Sequence, residues 1–145
     1  MGNSFSLLVI FGILLTVIVF VLKEDLLWLF GASKDTIVYA NDYMTIYLFG
    51  TIFVLISLGM NSFINSQGFA KIGMCTVLIG AILNIVLDPI FIFVFELGVK
   101  GAAIATVISQ FISALWTIYF LTGNKTILKL KKKNMKLKII HVKRI

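Results

Sequence analysis

The stretch NIVLDPIFIF, residues 84–93, sets Asn84, Asp88 and Pro89 inside an otherwise apolar run. An ionised carboxylate at the centre of a bilayer costs roughly 2.5–3.5 kcal/mol on insertion scales, so such acids face a protein interior or a hydrated cavity. Asn84 and Asp88 are four residues apart, which places both side chains on one helix face about one turn from each other. Pro89 has no N–H to donate, and the carbonyl of Ile85 therefore loses its helical partner. A carboxylate, an amide oxygen and a freed carbonyl suit a hard cation such as Na⁺, and a carboxyl removed from water holds a proton equally well. The competing reading is structural: Asn84 and Asp88 as hydrogen-bonding glue between helices, and Pro89 as a kink.

Counting from the turn near Leu97 aligns a second helix with these residues. Asp88 lies nine residues before Leu97 and Thr106 nine after it, so both are about 13 Å below the surface at 1.5 Å per residue. Thr106 is expected to add an oxygen at that depth, and Gln110 continues the stripe one turn further. Gly101, Ala105, Ser109 and Ser113 recur every four residues, a ladder of small side chains that lets a neighbouring helix approach closely. Ser57, Asn61 and Asn65 form another polar stripe, which either lines an internal cleft or bonds to a neighbouring helix. Tyr39, Tyr43 and Tyr47 read as an aromatic belt in preference to a ligand-binding wall. Cys75 is a single cysteine, neither half of an intramolecular disulfide nor a metal site. With His141 among lysines and no nucleophile–base, phosphate-cradling or zinc spacing, the chain is not expected to be an enzyme or to hold a metal beyond a coupling Na⁺.

The elements that carry these residues follow from composition. Sixty per cent of the 145 residues are hydrophobic and only 13% charged, which puts the chain in the bilayer. Four stretches, at about 4–22, 43–66, 72–95 and 99–121, meet the length of roughly 20 apolar residues that a transmembrane helix requires. The sequence thus predicts an all-α integral membrane unit over 1–121 and a basic tail or linker over 122–145. MGNSFS fits a myristoylation pattern, but the apolar run starts at Phe5. KED at 23–25 replaces the small-residue cleavage site of a signal peptide. Of 13 Lys and Arg residues, nine lie between Lys125 and Arg144 with no acid among them. The positive-inside rule therefore makes the tail cytoplasmic, the turns at 23–42 and 96–98 external and the turn at 67–71 internal. The basic run reads as a topology signal or an anionic-lipid contact, with no nucleic-acid partner.

The run from Gly59 to Leu121 contains MNSFINSQGFAKIGM, then GAILNIVLDPIFIF, then GVKGAAIATVISQ. These motifs, in order, resemble the fourth to sixth helices of bacterial multidrug and toxic compound extrusion (MATE) transporters. LLWLFGASKDTIVYANDYMTIY and the opening helix resemble that family's third helix and the start of its fourth. The resemblance implies a piece of a twelve-helix, two-lobe antiporter at the plasma membrane. Such an antiporter expels drug-like, often cationic compounds by alternating access, coupled to Na⁺ or H⁺. It also implies a cation site in which Asn84, Asp88 and Thr106 supply three of the family's four N-lobe ligands; the fourth belongs to a helix not matched here. The remaining helices of both lobes are then the partners the chain needs, and alone it is not expected to transport. Asn65 departs from the family, many members of which carry Arg at that place. The alternative from another class is a four-helix membrane protein that oligomerises through its small-residue ladder. A channel is weaker, since one acid without a repeated pore motif makes no filter.

Overall fold

The computed structural model describes residues 2–123 and Thr126; the expectations for the basic tail and His141 lie outside the described residues. Four long helices follow one another: α1 Gly2–Leu29, α2 Ile37–Ser66, α3 Ala70–Pro89 and α4 Gly98–Thr122, with one π-helical turn, Ile90–Val94, continuing α3. Each is long and apolar enough to cross a membrane, as the hydrophobic runs require.

The helices begin and end for local reasons. The α1 helix runs seven residues beyond the stretch ending at residue 22, because Lys23 stays helical and finds partners. Its amine bonds Thr45 Oγ1 at 2.9 Å and lies 4.7 Å from the Phe20 ring centroid, so the charge costs the helix end little. Likewise α2 starts at Ile37 rather than 43, after a Ser33–Thr36 turn in which the Ser33 N–H donates to Thr36 Oγ1 at 2.9 Å. Gly68, at φ +84°, ends α2: the Phe69 N–H reaches Ile64 O and the Gly68 N–H reaches Asn65 O. That pair of bonds satisfies carbonyls the helix would leave open, and it seats Phe69 over Ile64.

In the bundle α2 and α4 form the central pair, α1 packs on α2, and α3 packs on α4 and on part of α2. Ile56, Met60 and Ile64 of α2 meet Ala114 and Leu121 of α4 in the core, with Phe5, Leu8 and Val9 of α1 packed against them. Close approach depends on small residues: a Cβ on Gly50 would come within 2.7 Å of Val107, and one on Gly59 within 2.6 Å of Leu8. Gly101, Ala105, Ser109 and Ser113 are all buried, so the ladder packs as expected. By contrast, large apolar side chains of α1 and α3, such as Val21 and Ile85, lie exposed. That is the pattern of helices whose other neighbours are lipid or further apolar helices.

Candidate cation-binding site

Asn84 and Asp88 lie on the side of α3 that meets α4. The Asn84 amide nitrogen donates to Asp88 Oδ1 at 2.9 Å and to Thr106 Oγ1 at 3.3 Å. Thr106 in turn donates to Ala102 O at 2.9 Å, which turns its lone pairs toward Asn84. All three side chains are half-buried. The sequence aligned Thr106 with Asp88; the hydrogen bond instead joins it to Asn84, one turn further from the Glu96–Leu97 turn. A π turn carries more residues per turn than an α-helix, so Ile90–Val94 shortens the climb from Asp88 to that turn.

That π turn is itself seated on α4. The Phe95 N–H reaches back five residues to Ile90 O at 3.0 Å, and the Leu97 N–H reaches Phe91 O at 3.2 Å. Phe91 O rests against Gly101, where a Cβ would come within 2.5 Å of it. Only glycine allows this contact, which fixes the height at which Asp88 meets α4. Pro89 ends the regular part of α3 with its neighbour in the helical register. The side chains of Ile85, 72% exposed, and of Pro89 lie on the uncovered side of α3.

Below the triad, away from the π turn, opens a cleft of about 190 Å³ between α2, α3 and α4. Ser57, Thr76, Asn84, Gln110 and Ser113 line it. Gly80 forms part of the wall, and a Cβ there would come within 2.8 Å of Ser113 Oγ. Gln110 thus extends the polar stripe of Thr106, as its spacing predicts. Thr76 was not singled out by sequence reasoning, although Thr76, Gly80, Asn84 and Asp88 recur every four residues along one face of α3. Asn61 is buried and donates to Gly73 O at 3.1 Å. Asn65 is exposed with its oxygen against Gly73, where a Cβ would clash. Both asparagines therefore join α2 to the start of α3, one turn and more beyond the cleft. Tyr43 and Tyr47 stack at 5.9 Å near the other end of the bundle, and Cys75 is half-buried with a free thiol.

Chemically, a carboxylate and a hydroxyl oxygen converge on one amide nitrogen. The partial positive charge of that N–H₂ lies where a small cation would satisfy the same two oxygens. A turn of the amide about its last bond would bring Oδ1 into the set, giving three hard oxygen donors with a single negative charge. This donor set fits a monovalent ion or a proton better than a divalent cation, which draws more carboxylates. Among the described residues no three His, Cys, Asp or Glu side chains cluster.

Comparison with known proteins finds one family along the chain. The MatE family model matches residues 1–90. The multidrug export protein MepA of Staphylococcus haemolyticus is 34% identical over 128 residues, 86% of this chain and 28% of that protein. An inward-facing multidrug resistance MATE transporter of the MOP superfamily superposes with a TM-score of 0.88 at 28% identity, covering 98% of this chain and 33% of that one. An outward-facing MATE transporter superposes with a TM-score of 0.85 at 28% identity, covering 96% of this chain and 31% of its own. The chain thus spans about a third or less of the length of the relatives it matches.

Proposed function

This chain belongs to the MatE family, and on that premise we propose that its four helices supply the cation-coupling part of a multidrug antiporter. In this reading Asp88, Asn84 and Thr106 bind Na⁺ or H⁺. Binding and release bias a larger two-lobe assembly between its inward- and outward-open states, and an organic cation or other drug-like compound moves the opposite way. The observation that carries the reading is the Asn84 amide, which joins the one intramembrane acid to an oxygen on the facing helix. A bound cation would offset the cost that a carboxylate at that depth entails.

The same reading places the chain in the plasma membrane with the Glu96–Leu97 turn outside and the Gln67–Gly68 turn inside. Lys71 beside the inner turn and Asp35, Asp42 and Glu96 near the outer ends support that orientation. Transport requires helices beyond these four, because a midplane site is exposed alternately only when two bodies rock about it.

The test is dye efflux from vesicles in two preparations. One holds this polypeptide; the other holds a chimera in which these four helices replace the matching segment of a full-length MepA-type relative. The chimera is expected to export an ethidium-like cation against an Na⁺ or H⁺ gradient, and Asp88→Asn to reduce that export at least tenfold. Export unchanged by Asp88→Asn would sink the cation reading, and dye movement by this polypeptide alone would sink the requirement for further helices.

A second reading is favoured by the exposed apolar face of α1 and its groove along α2, lined by Thr16, Val17, Phe20, Val21, Leu48 and Phe49. A second copy covering that face would make a four-helix oligomerising membrane protein without transport. It predicts a single defined oligomer in detergent that persists in Asp88→Asn.

A further inference from the structure

We propose that the groove between α1 and α2 is a phospholipid site, in which an acyl chain lies along the groove and Lys23, at its mouth, holds the phosphodiester of the head group. The inference is independent of the cation reading and needs only that the chain lies in a membrane.

Three observations carry it. The first is an ammonium without an acid. Lys23 lies one turn beyond Phe20, a residue of the groove wall, with its Nζ 4.7 Å from that ring's centroid. It donates to Thr45 Oγ1 at 2.9 Å, and Thr45 donates in turn to Asn41 O at 2.7 Å, so every partner of the amine is neutral. Among the described residues no carboxylate comes within 4 Å of Nζ, Glu24 and Asp25 included. A lysine ammonium has three N–H donors, which leaves two after Thr45. Ionisable residues of membrane helices normally pair with another charge or with backbone carbonyls, and basic side chains between such helices hold lipid head groups.

The second is what the groove presents. It encloses about 260 Å³ between Thr16, Val17, Phe20, Val21, Leu48 and Phe49, less than the roughly 300–1,000 Å³ of drug-sized sites. The Thr16 hydroxyl donates to Gly12 O at 2.7 Å and to Leu48 O at 3.4 Å, so it is spent on backbone and the wall offers carbon. Leu48 is buried at the floor, while Val17, Val21 and Phe49 are exposed along the sides. A carbon-walled groove open along its length accepts an alkyl chain. Depth agrees with this: Thr45 lies three residues from Asp42, whose half-exposed bridge to Lys100 marks that end of the bundle. Three residues are about 4.5 Å at 1.5 Å each, within the roughly 5–7 Å that the head-group region occupies on each side of the hydrocarbon.

The third distinguishes a lipid from a further helix. The outward side chains of α1, such as Phe11, Leu14, Ile18 and Val21, are large and exposed. Gly12 is buried, turned to Ile52 and Leu55 of α2. Where this chain packs helix on helix it uses small residues, as in the buried ladder of α4. The outer face of α1 has no such seam for close approach, whereas a flexible alkyl chain lies between bulky side chains.

The experiment is photo-crosslinking of this polypeptide in dodecyl maltoside micelles, which bring no phosphate of their own. One probe is a phosphatidylglycerol with a diazirine in its acyl chain; the other is the diacylglycerol with the same chains. Adducts are mapped by peptide mass spectrometry. Phosphatidylglycerol is expected to label the groove residues at least fivefold more than Ile85 and Phe93 on the exposed face of α3, and diacylglycerol to show no such preference. Lys23→Gln is expected to abolish the preference and Lys23→Arg to keep it within twofold, with helical circular dichroism checking that both variants fold. Even labelling of the two faces, equal preference for both probes, or a preference untouched by Lys23→Gln overturns the site. A groove protected from both probes in a chain that runs as a dimer by native mass spectrometry also overturns it, because a second copy is then the occupant.

Discussion

Asn84 donates from one nitrogen to two oxygens on different helices, so in the reading proposed above a cation would have to turn that amide aside. Removing Thr106's oxygen takes away one of the two acceptors and one proposed ligand. Thr106→Ala is expected to weaken Na⁺ or proton dependence of efflux in the chimera about fivefold, the equivalent of roughly 1 kcal/mol for one neutral hydrogen bond. Thr106→Ser keeps the oxygen and is expected to stay within twofold of the parent. A dose–response of efflux against Na⁺ and against pH separates the two variants, and equal loss in both would assign Thr106 to packing alone. At this scale the sequence was readable because burial of an acid is costly and four-residue spacing puts Asn84 beside it. The carbonyl of Ile85 is a separate case, because it belongs to the backbone and not to the polar face. A backbone carbonyl points along the helix and not with the side chains, so four-residue spacing of side chains says nothing of where it lies.

A π turn after Pro89 rests its Phe91 carbonyl on Gly101, and the height of Asp88 against α4 depends on that contact. A methyl at position 101 would have to push the backbone of the π turn away, because the nearest atoms are main-chain oxygen and carbon. Gly101→Ala is therefore expected to lose about 1–3 kcal/mol of stability by overpacking, seen as a lower melting temperature in detergent. It should also weaken cation dependence as Thr106→Ala does, although residue 101 touches none of the three ligands. Gly31→Ala, in a turn where a Cβ meets nothing within 4 Å but φ is +88°, is expected to cost stability without moving the cation response. That pair of variants separates positioning from general destabilisation. The four helices were legible from their apolar runs, whereas their ends were not. Lys23 remains helical because Thr45 and Phe20 receive it, and those partners are more than a loop away in sequence or hidden within the same apolar turn. The π turn was equally invisible, since its i→i+5 bonds follow from the seat on Gly101 rather than from any pattern in IFIFV.

The four helices superpose with TM-scores of 0.88 and 0.85 on MATE structures described as inward-facing and outward-facing. On the transport reading proposed above, they are therefore expected to move as one body, and their packing fits that expectation. Met60, Ile64 and Leu121 are fully buried between α2 and α4, Gly50 seats Val107, and Phe53 meets Phe111 edge to face at 4.9 Å. Interfaces packed at this density change between discrete states and do not slide continuously. At the opposite end of the bundle from Asn61, Lys100 pairs with Asp42 at 3.2 Å, a half-exposed bridge that contributes little by itself. If α2 and α4 stay fixed to each other through the cycle, tying them together should not stop it. With Cys75→Ala as background, Phe53→Cys and Phe111→Cys joined by a short bifunctional thiol reagent are expected to leave efflux by the chimera within twofold of the unlinked protein. Because the parent helices already meet at this point, the link adds a constraint without demanding a new position. A cross-link that stops efflux and is reversed by cleavable reagent and reductant would instead mean that α2 and α4 separate during transport. The moving boundary would then run through this bundle, and the Asp88 triad on its α3–α4 side would travel apart from α1 and α2.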